Sequence, residues 1–176
     1  RVFAGTYHSF FIQKILKPNQ QHEYFKQLGY KDGFIILDDN DSKRLMDQTI
    51  KGLPAHAQLV IETQDINKKS MLQWMSGWRA QGFTERDLLA QYSQDQELKD
   101  AWNQFVYEIR DMAKNNYTAD EAERTIKTAL DKNNKLLPMF KARVVWKGYT
   151  EACVRNEGID FDDVLIHAQK LLQSDE

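Results

Sequence analysis

Residues 96–114 read QELKDAWNQFVYEIRDMAK. Leu98, Trp102, Phe105, Val106, Ile109 and Met112 recur there at spacings of three and four, which places them on one face of a helix and the charged residues on the other. No proline or glycine interrupts the stretch. The period-two alternation of a half-buried strand is absent. A helix with so broad an apolar stripe must cover it with other elements, so the neighbouring segments are read for partners of the same kind.

Downstream, Thr118 and Glu121 form a capping-box pattern ahead of a thin stripe of Ala122, Ile126, Ala129 and Leu130. Pro138 suits a first helical position, and Phe140, Val144, Val145, Tyr149 and Ala152 line the face that follows. Gly158 suits the C′ end of that helix, with Ile159 closing over it, and a last helix runs from Asp160 to about Gln173. Upstream, residues 67–80 form a helix carrying Leu72, Trp74, Met75 and Trp78, with Gly82 as a left-handed terminator. Thr84 and Asp87 open the next helix. The run Asp38-Asp39-Asn40-Asp41 caps a helix with Leu45, Met46, Thr49 and Ile50 that Gly52 and Pro54 end. Phe34-Ile35-Ile36-Leu37 is too short for a helix and reads as a strand or an extended anchor. Phe11, Ile15 and Leu16 share a helical face stopped by Pro18, and Val2-Phe3-Ala4 reads as the end of a strand. The fold class is all-α, an irregular multi-helix domain with a short strand stub at the start.

Composition narrows the functional classes. The 176 residues are 41% hydrophobic and 28% charged, an ordinary globular balance, and the net charge of −2 excludes a polycation that grips nucleic acid by bulk charge. Charge is nonetheless uneven: residues 124–147 carry Arg124, Lys127, Lys132, Lys135, Lys141, Arg143 and Lys147 against Asp131 alone. Such a stretch is either a solvated helical face or a footprint for phosphates; the second reading expects several of these cations on one accessible side. Cys153 is the single cysteine, which excludes an intrachain disulfide and suits a reducing compartment. No apolar run approaches the ~20 residues of a bilayer span. The chain begins at Arg1 and reads as a piece of a longer protein.

Most catalytic constellations are missing. His8, His22, His56 and His167 form no i,i+4 pair with an intervening Glu, and one cysteine makes no zinc knuckle. Neither GxxxxGK[ST] nor GxGxxG occurs, so no loop of known type cradles a nucleotide. Two short segments carry the remaining chemistry. Gly5-Thr6-Tyr7-His8-Ser9 lies between the strand stub and a helix, where free amides, hydroxyls and an imidazole suit a phosphate; alternatively Ser9 is an N-cap and His8 a satisfied side chain. In Gly158-Ile159-Asp160-Phe161-Asp162-Asp163-Val164-Leu165, Asp160 and Asp163 make a complete cap, and Phe161 is a staple residue or a platform for a base.

Gly5-Thr6-Tyr7-His8-Ser9-Phe10 with Ile15-Leu16 resembles the TFHS…IL segment of UvrD/Rep/PcrA-type superfamily 1 helicases. Phe34-Ile35-Ile36-Leu37-Asp38 is similar to that family's F-x-I-L-D. Val144-Val145, Tyr149 and Arg155-Asn156 follow in order, and Ile159-Asp160-Phe161-Asp162-Asp163-Val164-Leu165 is close to LDFDDLL. The resemblance implies subdomain 1B of such a helicase, over 38–157, with flanks of motor domain 1A at 1–37 and 158–176. Residues 90–135 depart from the pattern as an apparent insertion of two helical stretches. The resemblance further implies a cytoplasmic DNA-repair type of parent that binds ATP and magnesium through parts outside this chain. It translocates on single-stranded DNA, unwinds duplex and packs against its own further domains, with no membrane. Thr6 and His8 match positions on the single-strand backbone, Tyr7 and Ser9 stand in the same turn, and Phe161 matches a motif lining the strand's path. Lys135, Lys141 and Arg143 are the candidate phosphate contacts of the basic stretch. The first and last helices are then expected side by side, with the Thr6–Ser9 turn near Phe161. Two other functions fit: a protein-interaction module docking a partner on 90–135, and a RecB/AddA-like helicase–nuclease.

Overall fold

The computed structural model describes residues 7–175. They are mostly helical, as the periodicity requires, and fall into two compact units, one of residues up to Leu45 with those from Thr150 onward, the other Met46–Tyr149. Thr6 and the strand stub at Val2-Phe3-Ala4 lie outside the described residues.

In the first unit, α1 (Tyr7–Phe11) continues as a π-helical turn, Ile12–Leu16, and a 3-10 turn, Lys17–Asn19. Pro18 therefore sits inside that last turn, near its start, where its missing N–H costs little. After α2 (Glu23–Gln27) the chain forms β1 (Ile35–Leu37), which pairs in parallel with β2 (Gly158–Asp160): Ile35 faces Gly158, Ile36 faces Ile159 and Leu37 faces Asp160. Gly158 is thus a strand residue rather than a C′ residue, and Glu157, with φ 50°, makes the left-handed turn in its place. A glycine is needed at 158 for a different reason. A Cβ there would lie 2.7 Å from both Cγ and Cδ2 of Leu37, which is buried. α11 (Phe161–Ser174) follows directly, capped by Asp160, whose Oδ1 accepts the Asp163 N–H at 3.0 Å.

The first unit's core joins its two chain segments. Ile12, Leu16, Phe25, Tyr30 and Phe34 from one meet Ile159, Val164, Ala168 and Leu171 from the other. α11 consequently packs along α1 and the π turn that extends it.

The second unit is built from the rest of α3 (Asp39–Lys51), then α4 (Ala55–Thr63), α5 (Lys68–Ala80), α6 (Glu85–Tyr92), α7 (Gln96–Lys114), α8 (Ala119–Lys132), α9 (Leu136–Phe140), a π-helical segment Lys141–Trp146, and the start of α10 (Lys147–Arg155). Thr84/Asp87 and Thr118/Glu121 are reciprocal capping boxes, and Gly82, at φ 84°, follows α5. On α7 the stripe Leu98, Trp102, Phe105, Ile109 and Met112 is buried, with α4, α8 and α9 against the helix. Two of the differences from the sequence reading lie in and just after α9. Pro138 is the third residue of α9 rather than the first. The wider π turn after it brings Val145 and Trp146 inward together, which a 3.6-residue period does not anticipate.

Candidate functional site

The site assembled from the resemblance motifs lies in the first unit. His8 is the second residue of α1 and Phe161 the first of α11. Their rings meet edge to face, with centroids 6.0 Å apart and planes at 88°. The juxtaposition expected of the first and last helices is therefore present for His8 and Phe161, across most of the chain's length. Its cause is the shared core below: Ile12 and Leu16 hold the first helix, and Val164, Ala168 and Leu171 the last.

Around this pair the surface is open. Tyr7 is 81% exposed and Phe161 38% exposed, while His8 and Ser9 are half-buried. Ser9 lies within the first turn of α1, so it does not cap that helix. Asp160 is buried and spends its carboxylate on the α11 cap, leaving Asp162 as the exposed acid beside Phe161. Chemically, the arrangement offers two accessible aromatic surfaces, an imidazole and a hydroxyl. Those are groups for a base face and a phosphate oxygen.

The basic stretch of the second unit does not converge on one partner. Lys135 Nζ lies 2.8 Å from Asp95 Oδ2, and the other Asp95 oxygen caps α7 by accepting the Leu98 N–H at 3.0 Å. Those bonds, the Lys135 one first, hold the Asp95 carboxyl below its ordinary range. Lys127 is engaged with Glu123 at 2.7 Å. Lys141 is half-buried with Nζ 5.4 Å from the Trp74 ring centre, and burial pushes its ammonium down from the ordinary value. That ring belongs to an aromatic cluster: Trp74 meets Trp78 and Trp146 edge to face, and the buried Arg79 lies over Trp146 at 5.8 Å. Arg143 alone of the three candidate cations is exposed and unengaged by carboxylate, its guanidinium 5.4 Å over Trp102.

Arg143 also lines a groove of about 470 Å³ with Trp102, Asn103, Val106, Tyr107, Arg110, Asp111 and Lys114. Tyr107, Arg110 and Lys114 carry no sequence signal beyond their spacing on the polar side of α7, and sequence reasoning passed over them. A second groove, of about 570 Å³, runs between α7 and α8 and includes Arg124, Lys132, Tyr117 and Glu121.

Among the described residues no three His, Cys, Asp or Glu side chains are grouped to hold a metal ion, and no helix is long and apolar enough to cross a membrane. The family model described as UvrD/REP helicase N-terminal domain matches residues 1–176. No curated protein and no solved structure gives a match.

Proposed function

The chain belongs to the UvrD/REP helicase N-terminal domain family, and from that premise we propose that it is the DNA-binding accessory part, of 1B type, of an ATP-dependent superfamily 1 helicase that moves along single strands and unwinds duplex. In this reading residues 38–157 are the accessory subdomain, and 1–37 with 158–176 belong to the motor domain. ATP and magnesium are the parent protein's cofactors, and its partners are DNA and its own remaining domains.

The observation that supports this best is the His8–Phe161 pair, because it unites both resemblance motifs at one open surface. Phe161 offers its ring to a base, and His8, with Thr6 and Ser9 in the same segment, serves phosphate oxygens. The Asp160 carboxylate stays with the helix cap, on the Asp163 N–H, and away from the anionic strand.

Binding of a labelled oligothymidylate tests the site. His8→Ala should cost about 1–2 kcal/mol of single-strand affinity, the scale of one hydrogen bond to a charged group. Phe161→Ala should cost about 1–3 kcal/mol, the scale of one stacked base. Affinities unchanged in both variants would refute the assignment.

The chain contains no phosphate-binding loop, and phosphoryl transfer needs one together with magnesium ligands. The purified chain should accordingly show no magnesium-dependent ATP hydrolysis above a mock preparation; measurable turnover would contradict the division of labour proposed here. The competing protein-interaction reading calls for an apolar surface on 90–135. Of the two grooves along α7, the one lined by Tyr107, Arg110 and Lys114 is cationic and aromatic, which favours nucleic acid there.

A further inference from the structure

We propose that the groove along α7 is a second single-stranded DNA site, in which Tyr107 stacks one base while Arg110, Lys114 and Arg143 hold the flanking phosphates. The ligand class rests on the helicase reading above, but the groove shares no residue with the His8–Phe161 surface.

The groove has the two components that sequence-independent strand binding requires, an accessible ring and a row of unspent cations. Tyr107 is 68% exposed, far more than packing would leave to a ring of that size. Arg110 and Lys114 follow it by three and seven residues, so all three project from one side of α7, the two cations separated by about 6 Å of helix axis. Arg143 reaches the same groove from the π-helical segment. Its guanidinium lies over Trp102, which is only 7% exposed. Trp102 is therefore a floor that orients Arg143 and not itself a base platform.

Carboxylates already engage some of the second unit's other basic side chains. Lys51, Lys127 and Lys135 each sit within 2.8 Å of a carboxylate. Among the described residues, Arg110, Lys114 and Arg143 make no such pair. The groove's acid, Asp111, is already engaged: Oδ1 accepts from the Asn115 amide at 3.0 Å, and Oδ2 accepts the Tyr117 hydroxyl at 3.2 Å. Three cations against one hydrogen-bonded carboxylate leave a positive groove on a chain whose net charge is negative.

An acidic peptide would also meet three cations, but it would not use an exposed ring flanked by them. A duplex would satisfy the cations while keeping its bases stacked away from Tyr107. The experiment follows from that difference. Fluorescence anisotropy of the 176-residue chain is read with labelled oligothymidylate, a blunt duplex and a polyglutamate peptide at low salt.

Tyr107→Ala should weaken single-strand binding about tenfold and leave the duplex unaffected, and Tyr107→Phe should restore it. The Arg110→Gln, Lys114→Gln double variant should flatten the salt dependence of single-strand affinity by about 1.4 in log–log slope. Circular dichroism of each variant confirms the fold, which substitution at exposed positions leaves intact. The proposal is overturned if Tyr107→Ala leaves single-strand affinity within twofold, if it weakens the duplex equally, or if polyglutamate binds as tightly as the oligonucleotide. His8→Ala and Phe161→Ala, measured alongside, separate the two sites. A loss confined to those variants defeats the groove alone, and a wild-type chain that binds no DNA defeats both.

Discussion

Phe25→Ala should be a severely damaging substitution, costing about 3–5 kcal/mol. The ring is fully buried at the centre of the first unit's core. Its centroid lies 4.8 Å from that of Phe34, 5.1 Å from Tyr24, 6.0 Å from His167 and 6.3 Å from Tyr30. Truncation removes the ring's transfer free energy and leaves a cavity that four rigid rings cannot close by rotating. Against a typical total of about 5–15 kcal/mol, that loss brings the unit close to unfolding. Hydrogen exchange localises it: amides of Ile159 and Val164, whose side chains share the core, should lose protection far more than those of Leu98 or Phe105 in α7. Phe25→Leu keeps most of the apolar volume and should recover most of the protection. Protection at Ile159 and Val164 changed by less than about 1 kcal/mol in Phe25→Ala would show that the core does not turn on this ring.

Much of this architecture is legible before any coordinates, and the legible parts share a physical cause. α7 needs nothing beyond its own stripe, and α6 and α8 announce their starts through Thr84/Asp87 and Thr118/Glu121. Features set by distant partners are not legible in the same way. β1 could be an anchor as easily as a strand, because its partner at Gly158–Asp160 lies far along the chain. Gly158 looks like a helix terminator until Leu37 is seen to occupy the space of its Cβ. α4 escapes notice for a local reason: its N-cap is Pro54, which offers no side-chain acceptor, and its buried face is only Ala57, Val60 and Ile61. The meeting of His8 with Phe161 follows from motif resemblance, whereas periodicity alone says nothing of it. The α7 groove was hidden because Tyr107, Arg110 and Lys114 occupy what any amphipathic helix shows as its wet face. Only Arg143, arriving from another segment, distinguishes that face from ordinary solvated surface.

Alkaline pH should destabilise the first unit through Tyr30. Its hydroxyl is buried and donates to the Gly158 carbonyl at 2.8 Å, tying the loop after α2 to β2 just ahead of Phe161. Burial raises the phenol far above its ordinary value of 10.0, and the nearby Cys153, Asp163 and Asp160 add to the rise. In the unfolded chain the phenol ionises near 10, while in the folded chain it keeps its proton. Its contribution is therefore complete below pH 10 and is lost as pH climbs toward the raised folded-state value, at about 1.4 kcal/mol per unit. By pH 12 the loss reaches about 2.7 kcal/mol, since two units lie between the unfolded-state value and that pH. Tyr30→Phe provides the control, because it cannot ionise and cannot donate. At neutral pH the variant should be weaker by about 1–3 kcal/mol, having left a buried carbonyl without this donor. Above pH 10 its stability should fall less steeply, so the wild-type and variant curves converge. Tyr92, whose phenol burial also raises, contributes equally to both curves and cancels in their difference. Urea titrations at each pH, followed by the protection of Ile159 and Val164, give the two curves. Curves that stay parallel from pH 8 to 12 would show that Tyr30 titrates alike in both states, and the hydroxyl's burial would then carry none of the alkaline sensitivity.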